Sequence, residues 1–176
     1  MYLLISFAVY CLIAAILCWK YPEKHLDWNN VDLEDLQFPA NFSWGVATAS
    51  HQIEGHNQNN WSTFESERGI EASGAACDHW NRWKNDFDLI EALGVGHYRF
   101  SIEWSRIQPH EGEGNDVALQ QYSNMIDDLL SRNIEPMVTL HHFSHPIWFE
   151  EKGGFLNRDN IHHWVEYSER VFLSLI

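Results

Sequence analysis

Basic residues are scarce in this chain of 176 residues: eleven Lys and Arg stand against 25 Asp and Glu, a net charge of −14. A phosphate-rich partner would be repelled over most of such a surface, which sets nucleic-acid binding aside. Cysteine is nearly absent as well. Of three, Cys11 and Cys18 lie in an apolar leader and only Cys77 falls in the globular part, so no disulfide framework can form there. The leader itself lacks what a cleaved signal needs, since no Lys or Arg precedes it and Cys18, Trp19 and Lys20 are poor cleavage neighbours. What the chain does have is aromatic surface: nine Trp, ten Phe and six Tyr, 14 % in all, which suits the stacking of flat or ring-shaped ligands as well as core packing.

From Leu3 to Trp19 no residue is charged. A helix of that length spans roughly 26 Å, close to the hydrocarbon core of a bilayer. The expectation is an uncleaved membrane anchor over residues 1–20, with secretion after signal cleavage as the alternative. Lys20 and Lys24 just beyond it favour a cytoplasmic placement of the globular part. Residues 21–37, polar and acidic, read as a linker.

The globular part, residues 38–176, reads as strand and helix in alternation. Phe42 to Ser50 is short, apolar and rich in small residues, a buried strand whose Gly45 permits close packing. Residues 57–74 show no sustained periodicity and read as a loop anchored by Trp61 and Phe64. Asp78 is placed to cap a helix whose stripe is Trp80, Trp83, Phe87 and Ile90, stopped by Gly94. A strand from His97 to about Glu103 follows. Asn115 or Asp116 opens a second helix with Ala118, Tyr122, Met125, Ile126 and Leu129 inward, and Asn133 suits a left-handed end. After the strand Pro136 to Leu140, a third helix from about Asp159 carries Ile161, Trp164, Val165, Ser168, Val171, Phe172 and Leu175. Such repeats build a parallel α/β sheet, whose chemistry sits at the carboxyl ends of the strands. Glu103, His141 and His142 therefore mark where a site should lie.

Four blocks, FPANFSWGVATASHQIEG, CDHWNRWKNDFDLIEALG, YRFSIEWSRIQP and TLHHFSHPIWFEEKGGF, occur in this order between Phe38 and Phe155. Together they resemble the amino-terminal part of glycoside hydrolase family 1, the β-glucosidase and β-galactosidase family. The resemblance implies an α/β fold, about three βα units of a (β/α)8 TIM barrel preceded by an apolar helix. It implies retaining hydrolysis of β-linked glucosides or related sugars. Gln52 matches a Gln that holds two sugar hydroxyls, and a carboxamide offers vicinal hydroxyls both donor and acceptor without charge. His142 matches a glycone-binding His. Phe143 stands where most members carry Trp, keeping an aromatic face but losing the indole N–H. Arg99 matches an Arg beside the catalytic nucleophile, where a guanidinium favours the ionised carboxylate; a local alternative is an ion pair with Glu103.

The catalytic pair is missing from these residues. Retaining glycosidases need two carboxyl groups about 5 to 5.5 Å apart. The family carries them in Asn-Glu-Pro and Glu-Asn-Gly tripeptides, neither of which occurs here. No catalytic residue is therefore assigned, and Glu54 and Glu103 are not promoted to that role. Nor is a metal or cofactor assigned: His141 and His142 alternate across a strand, away from His162 and His163 on a helix. The last helix reaches Ile176 in mid-pattern, so the expectation is a truncated barrel, inactive alone and prone to aggregate through exposed strand edges. A non-catalytic sugar-binding remnant is the alternative function.

Overall fold

The computed structural model describes residues 2–22 and 37–175, and the chain divides into two compact units, Met1–Phe42 and Ser43–Ile176. In the first, α1 (Tyr2–Lys20) is a helix with no Gly or Pro to interrupt it and Lys20 in its last turn, where a cation suits the helix dipole. Phe7, Tyr10, Leu12, Ile13, Ile16, Leu17 and Trp19, which spread over about two-thirds of its circumference, are all exposed, and Ala and Cys fill the rest. Among the described residues, however, no helix is long and apolar enough to cross a membrane. Lys24 and most of the linker fall outside the described residues.

The second unit runs β1 (Gly45–Ala47), α2 (Ser50–Ile53), α3 (Asn60–Arg68), α4 (His79–Ala92), β2 (His97–Ser101), α5 (Trp104–Ile107), α6 (Asp116–Ser131), β3 (Glu135–Thr139), α7 (Ile147–Glu151) and α8 (Ile161–Leu175). The three strands are parallel in the order β1-β2-β3, with Ala47 opposite Arg99 and Arg99 opposite Met137. Period-two alternation then sends Tyr98 and Phe100 to one face, where they join Phe87, Ile90, Tyr122, Met125 and Leu129 in the core. Ala47, Arg99 and Met137 share the other face, and Met137 is 61 % exposed. Helices on one face and open sheet on the other is the construction of a barrel wall. Gly45 is required by close approach: a Cβ there would lie 2.7 Å from the carbonyl oxygen of His97. Trp104, fully buried, stacks on Tyr167 at 4.7 Å between centroids and meets Phe149 at 4.6 Å, joining α5, α7 and α8.

Several local expectations need correction. Residues 60–68 form a helix rather than loop, because Asn59 and Ser62 cap each other's backbone and Gly69 closes the end at φ 62°. Asp78 precedes α4 but is left-handed (φ 55°), and its carboxylate accepts from the Asn81 side chain at 2.7 Å instead of capping backbone. β1 and β2 are shorter than expected, because the chain turns into α2 and α5 soon after them, whereas β3 has the expected length, one residue earlier. On α8 the buried positions are His163, Tyr167 and Val171, whereas Ile161, Val165 and Phe172 are more than half exposed. Asn115 does cap α6, accepting from Ala118 N, and Asn133 is left-handed at φ 59°.

Candidate functional site

The loops leaving the carboxyl ends of the strands are tied together by one buried carboxylate. Glu103, with no solvent exposure, caps α5 and accepts from Ser105 Oγ at 2.8 Å through Oε1. Its Oε2 accepts from Ser50 Oγ at 3.0 Å, Asn59 Nδ2 at 3.1 Å and Ser144 Oγ at 2.9 Å. Loops following all three strands thus converge on one side chain. The ion pair considered between Glu103 and Arg99 does not form; Glu103 is satisfied by hydroxyl and amide donors.

Glu54 anchors a second buried knot. Its Oε1 accepts from Tyr122 Oη at 2.6 Å and its Oε2 from Arg106 Nε at 2.8 Å, with the Arg106 guanidinium lying 4.2 Å from the centre of the Trp80 ring. Burial pushes Glu54 up to about 7; the nearby Glu103 carboxylate adds to the rise, and Arg106 and Tyr122 oppose it. His141 moves the other way. Burial, with His145 and His142 beside it, lowers it to about 4. Between pH 4.5 and 7 the folded chain holds a proton on Glu54 that the unfolded chain has released, so this group makes stability fall as pH rises. Between pH 4 and 6.5 the unfolded chain protonates His141 and the folded chain does not, so that group makes stability rise. The two slopes oppose each other. Glu54→Gln is expected to unmask a stability that increases with pH over this window, read from urea midpoints at pH 4.5 and 6.5; a flat or falling profile would contradict the assignment.

Above these knots lies a hollow of about 400 Å³ lined by Ala49, His51, Gln52, Trp61, Glu65, Ser73, His142 and Phe143. Three of the residues singled out from the sequence, Gln52, His142 and Phe143, therefore share one cavity. The fourth, Arg99, stands behind it: Nε donates to Thr139 Oγ1 and Nη2 to His142 Nδ1, both at 2.9 Å. Because His142 Nδ1 is an acceptor, the neutral ring carries its proton on Nε2, which is left as a donor. Among the described residues the Gln52 carboxamide has no hydrogen-bond partner, so both its donor and acceptor are available for a ligand.

The walls are pinned. Asn60 Nδ2 and Trp61 Nε1 both donate to the Phe143 carbonyl at 3.1 Å, and Asn60 Oδ1 accepts from His145 N at 2.9 Å. This holds Phe143 at φ 68°, a conformation that costs a non-glycine residue about 1–2 kcal/mol, and leaves the residue 68 % exposed. Phe143→Gly is expected to leave the urea midpoint unchanged or higher while weakening ligand binding in the hollow. A clear loss of stability would show that the ring packs the fold instead of serving the cavity.

Sequence reasoning missed His51 and Glu65 and treated Trp61 only as a loop anchor. His51 Nδ1 accepts from Asn59 Nδ2 at 3.2 Å and Nε2 donates to Glu65 Oε1 at 3.0 Å; Ser73 also donates to Glu65 through its hydroxyl and through N. Burial works against it, but these bonds from Ser73 and His51 hold Glu65 below the usual carboxylate range. The adjacency of His51 to Gln52 was the only sequence signal. Glu54 and Glu103 do not line the hollow. Among the described residues no group of three or more His, Cys, Asp and Glu is arranged to hold a metal; His141 turns away from His142 toward His145, Phe155 and Trp164.

An unpaired carboxamide, an imidazole N–H and exposed aromatic faces suit a neutral, polyhydroxylated ring. Comparison with known proteins identifies the family. The family model of glycosyl hydrolase family 1 matches residues 34–175. "Beta-glucosidase A" of Thermotoga maritima is 45 % identical over 148 residues, 77 % of this chain and 33 % of that protein. The human "Cytosolic beta-glucosidase" is 35 % identical over 150 residues, 78 % of this chain and 32 % of that protein. Among solved structures, a β-glycosidase from Pyrococcus horikoshii superposes with a TM-score of 0.75 at 48 % identity, covering 80 % of this chain and 34 % of that one. The chain spans about a third of the length of the curated relatives it matches. On its sequence and on the barrel-wall geometry of its second unit, the chain belongs to glycosyl hydrolase family 1.

Proposed function

We propose that the chain supplies the side of a β-glucosidase-type active site that grips the non-reducing sugar. The reaction is hydrolysis of the O-glycosyl bond of a β-linked glucoside with retention of configuration. Gln52 offers donor and acceptor to vicinal hydroxyls, His142 donates through Nε2–H, and the exposed Phe143 ring packs on the sugar's C–H face. Arg99 orients His142 and carries the positive charge that keeps a neighbouring nucleophilic carboxylate ionised. The observation that supports this reading most directly is the shared hollow, which gathers Gln52, His142 and Phe143 from loops after two different strands.

Bond cleavage belongs, on this reading, to carboxyl groups outside these 176 residues, because neither catalytic tripeptide is present. Incubating the purified chain with an aryl β-glucoside tests the division of labour: binding without turnover is expected. Sustained turnover that disappears in Gln52→Ala would overturn it. A lack of any sugar binding would remove both the enzymatic reading and that of a non-catalytic sugar-binding remnant.

For the first unit, the apolar circumference of α1 supports association with a lipid surface, whether as a retained anchor or as a leader on a secretory route. Flotation with phosphatidylcholine vesicles is the check: the full chain should rise with the vesicles, and failure to do so would remove the reading.

A further inference from the structure

Among the eight residues that line the sugar hollow there is no Lys or Arg, and Glu65 is the one carboxylate. Glu65 is 8 % exposed. Its Oε1 accepts from His51 Nε2 at 3.0 Å and from the Ser73 hydroxyl, and its Oε2 from Ser73 N at 3.0 Å. Donors of this kind favour the ionised form. None of them brings a compensating cation, and Asn59 decides this for His51. Asn59 Oδ1 accepts from Ser62 N at 3.1 Å, so the Nδ2 end of the amide is the one that meets His51 Nδ1 at 3.2 Å. Nδ1 is then the unprotonated nitrogen, the ring is neutral with its proton on Nε2, and the charge of Glu65 stands unbalanced. The same tautomer excludes a serine nucleophile here. Ser73 Oγ lies 3.1 Å from His51 Nε2, but that nitrogen is a donor and takes no proton.

The rest of the lining works in the same direction. Trp61 is 41 % and Phe143 68 % exposed, and the face of an aromatic ring attracts a cation. The net charge of −14 deepens the negative potential around the hollow. Arg99 is not part of the lining; it stands behind His142, bonded to that ring and to Thr139. We infer that the hollow selects sugars by charge, with Glu65 as the residue that sets the preference: glycosides of amino sugars first, neutral glucosides next, and those bearing a carboxylate or phosphate rejected. The ammonium group of the amino sugar is received by the Glu65 carboxylate and the ring faces of Trp61 and Phe143. This inference rests on the sugar-site reading above and narrows its substrate class. Between unit charges a few Å apart near a protein surface, such an interaction changes affinity by about tenfold or more in either direction.

The test titrates the full chain, near neutral pH, with methyl β-D-glucopyranoside, its 2-amino-2-deoxy and 6-amino-6-deoxy counterparts and methyl β-D-glucuronide, following the side-chain N–H signals of Gln52 and Trp61. At least one amino sugar is expected to bind about tenfold tighter than the glucoside at low salt, with the gap narrowing at high salt, and the glucuronide not to bind measurably. Glu65→Gln keeps the size of the side chain and removes its charge. It should bring amino sugar and glucoside to within about twofold of each other and let the glucuronide bind. These are ratios between ligands on one protein, so a partial loss of folded protein does not alter them. Should the variant not fold at all, the ratios of the unsubstituted chain and their salt dependence decide. Glucoside binding with no preference for either amino sugar, or a preference that Glu65→Gln leaves unchanged, would overturn the inference and leave the sugar-site reading in place. No binding of any of the four sugars would remove both.

Discussion

Glu103→Ala is expected to lower stability by about 4 kcal/mol, enough to leave much of the chain unfolded without denaturant. The carboxylate is wholly buried and accepts from Ser50, Asn59, Ser144 and both the hydroxyl and the N–H of Ser105, so its removal strands donors from the loops after all three strands at once. Each buried donor left unmet costs roughly 1–3 kcal/mol, less whatever an entering water recovers. Glu103→Gln keeps the shape but sets an NH2 group against those donors, and should cost about half as much. Urea unfolding followed by tryptophan fluorescence measures both. A loss under about 1 kcal/mol for the alanine variant would show that the loops hold themselves together without this carboxylate, and Glu103 would not be their hub.

The second large effect is on binding. Gln52→Ala removes the one carboxamide in the hollow that is free for a ligand, and His142→Ala removes the imidazole donor and the partner of Arg99. Each lost hydrogen bond to a ligand is worth about 1 kcal/mol or more, so affinity for a β-glucoside should fall roughly tenfold in either variant. The double variant should bind no sugar measurably. Because Gln52 is exposed and its carboxamide makes no bond to the described residues, the change to alanine should leave the urea midpoint alone. Tight binding that survives both changes would place the sugar elsewhere.

How much of this was legible in advance depends on the range of the interaction. The helices α4 and α6 announce themselves through long stripes of apolar residues at helical spacing; the structure buries Phe87, Ile90, Ala118, Tyr122, Met125 and Leu129 and packs Trp80, Trp83 and Ile126, half-buried, against the same core. The helix α3 does not, since its apolar residues are few and its start depends on Asn59 and Ser62 bonding each other. On α8 apolar residues lie on more than one face, and sequence alone cannot say which face meets the sheet; Tyr167 wins because it stacks on Trp104, from a distant part of the chain. The same holds at the site. That strand ends carry the chemistry follows from the alternation of elements, while Gln52, Arg99, His142 and Phe143 were named through resemblance. Their meeting around one hollow, and the presence there of His51, Trp61 and Glu65, comes from contacts between distant segments that no local pattern encodes. The role of Glu103 was hidden for the same reason, its donors lying up to 53 positions away.

The central claim is that a sugar sits in that hollow. Titrating methyl β-D-glucopyranoside into isotopically labelled chain, with backbone and side-chain amide shifts followed residue by residue, tests it most directly. The account predicts saturable shifts at Gln52, Trp61, His142 and Phe143. Shifts confined to other surfaces, or none at the Gln52 carboxamide up to saturating sugar, would contradict it.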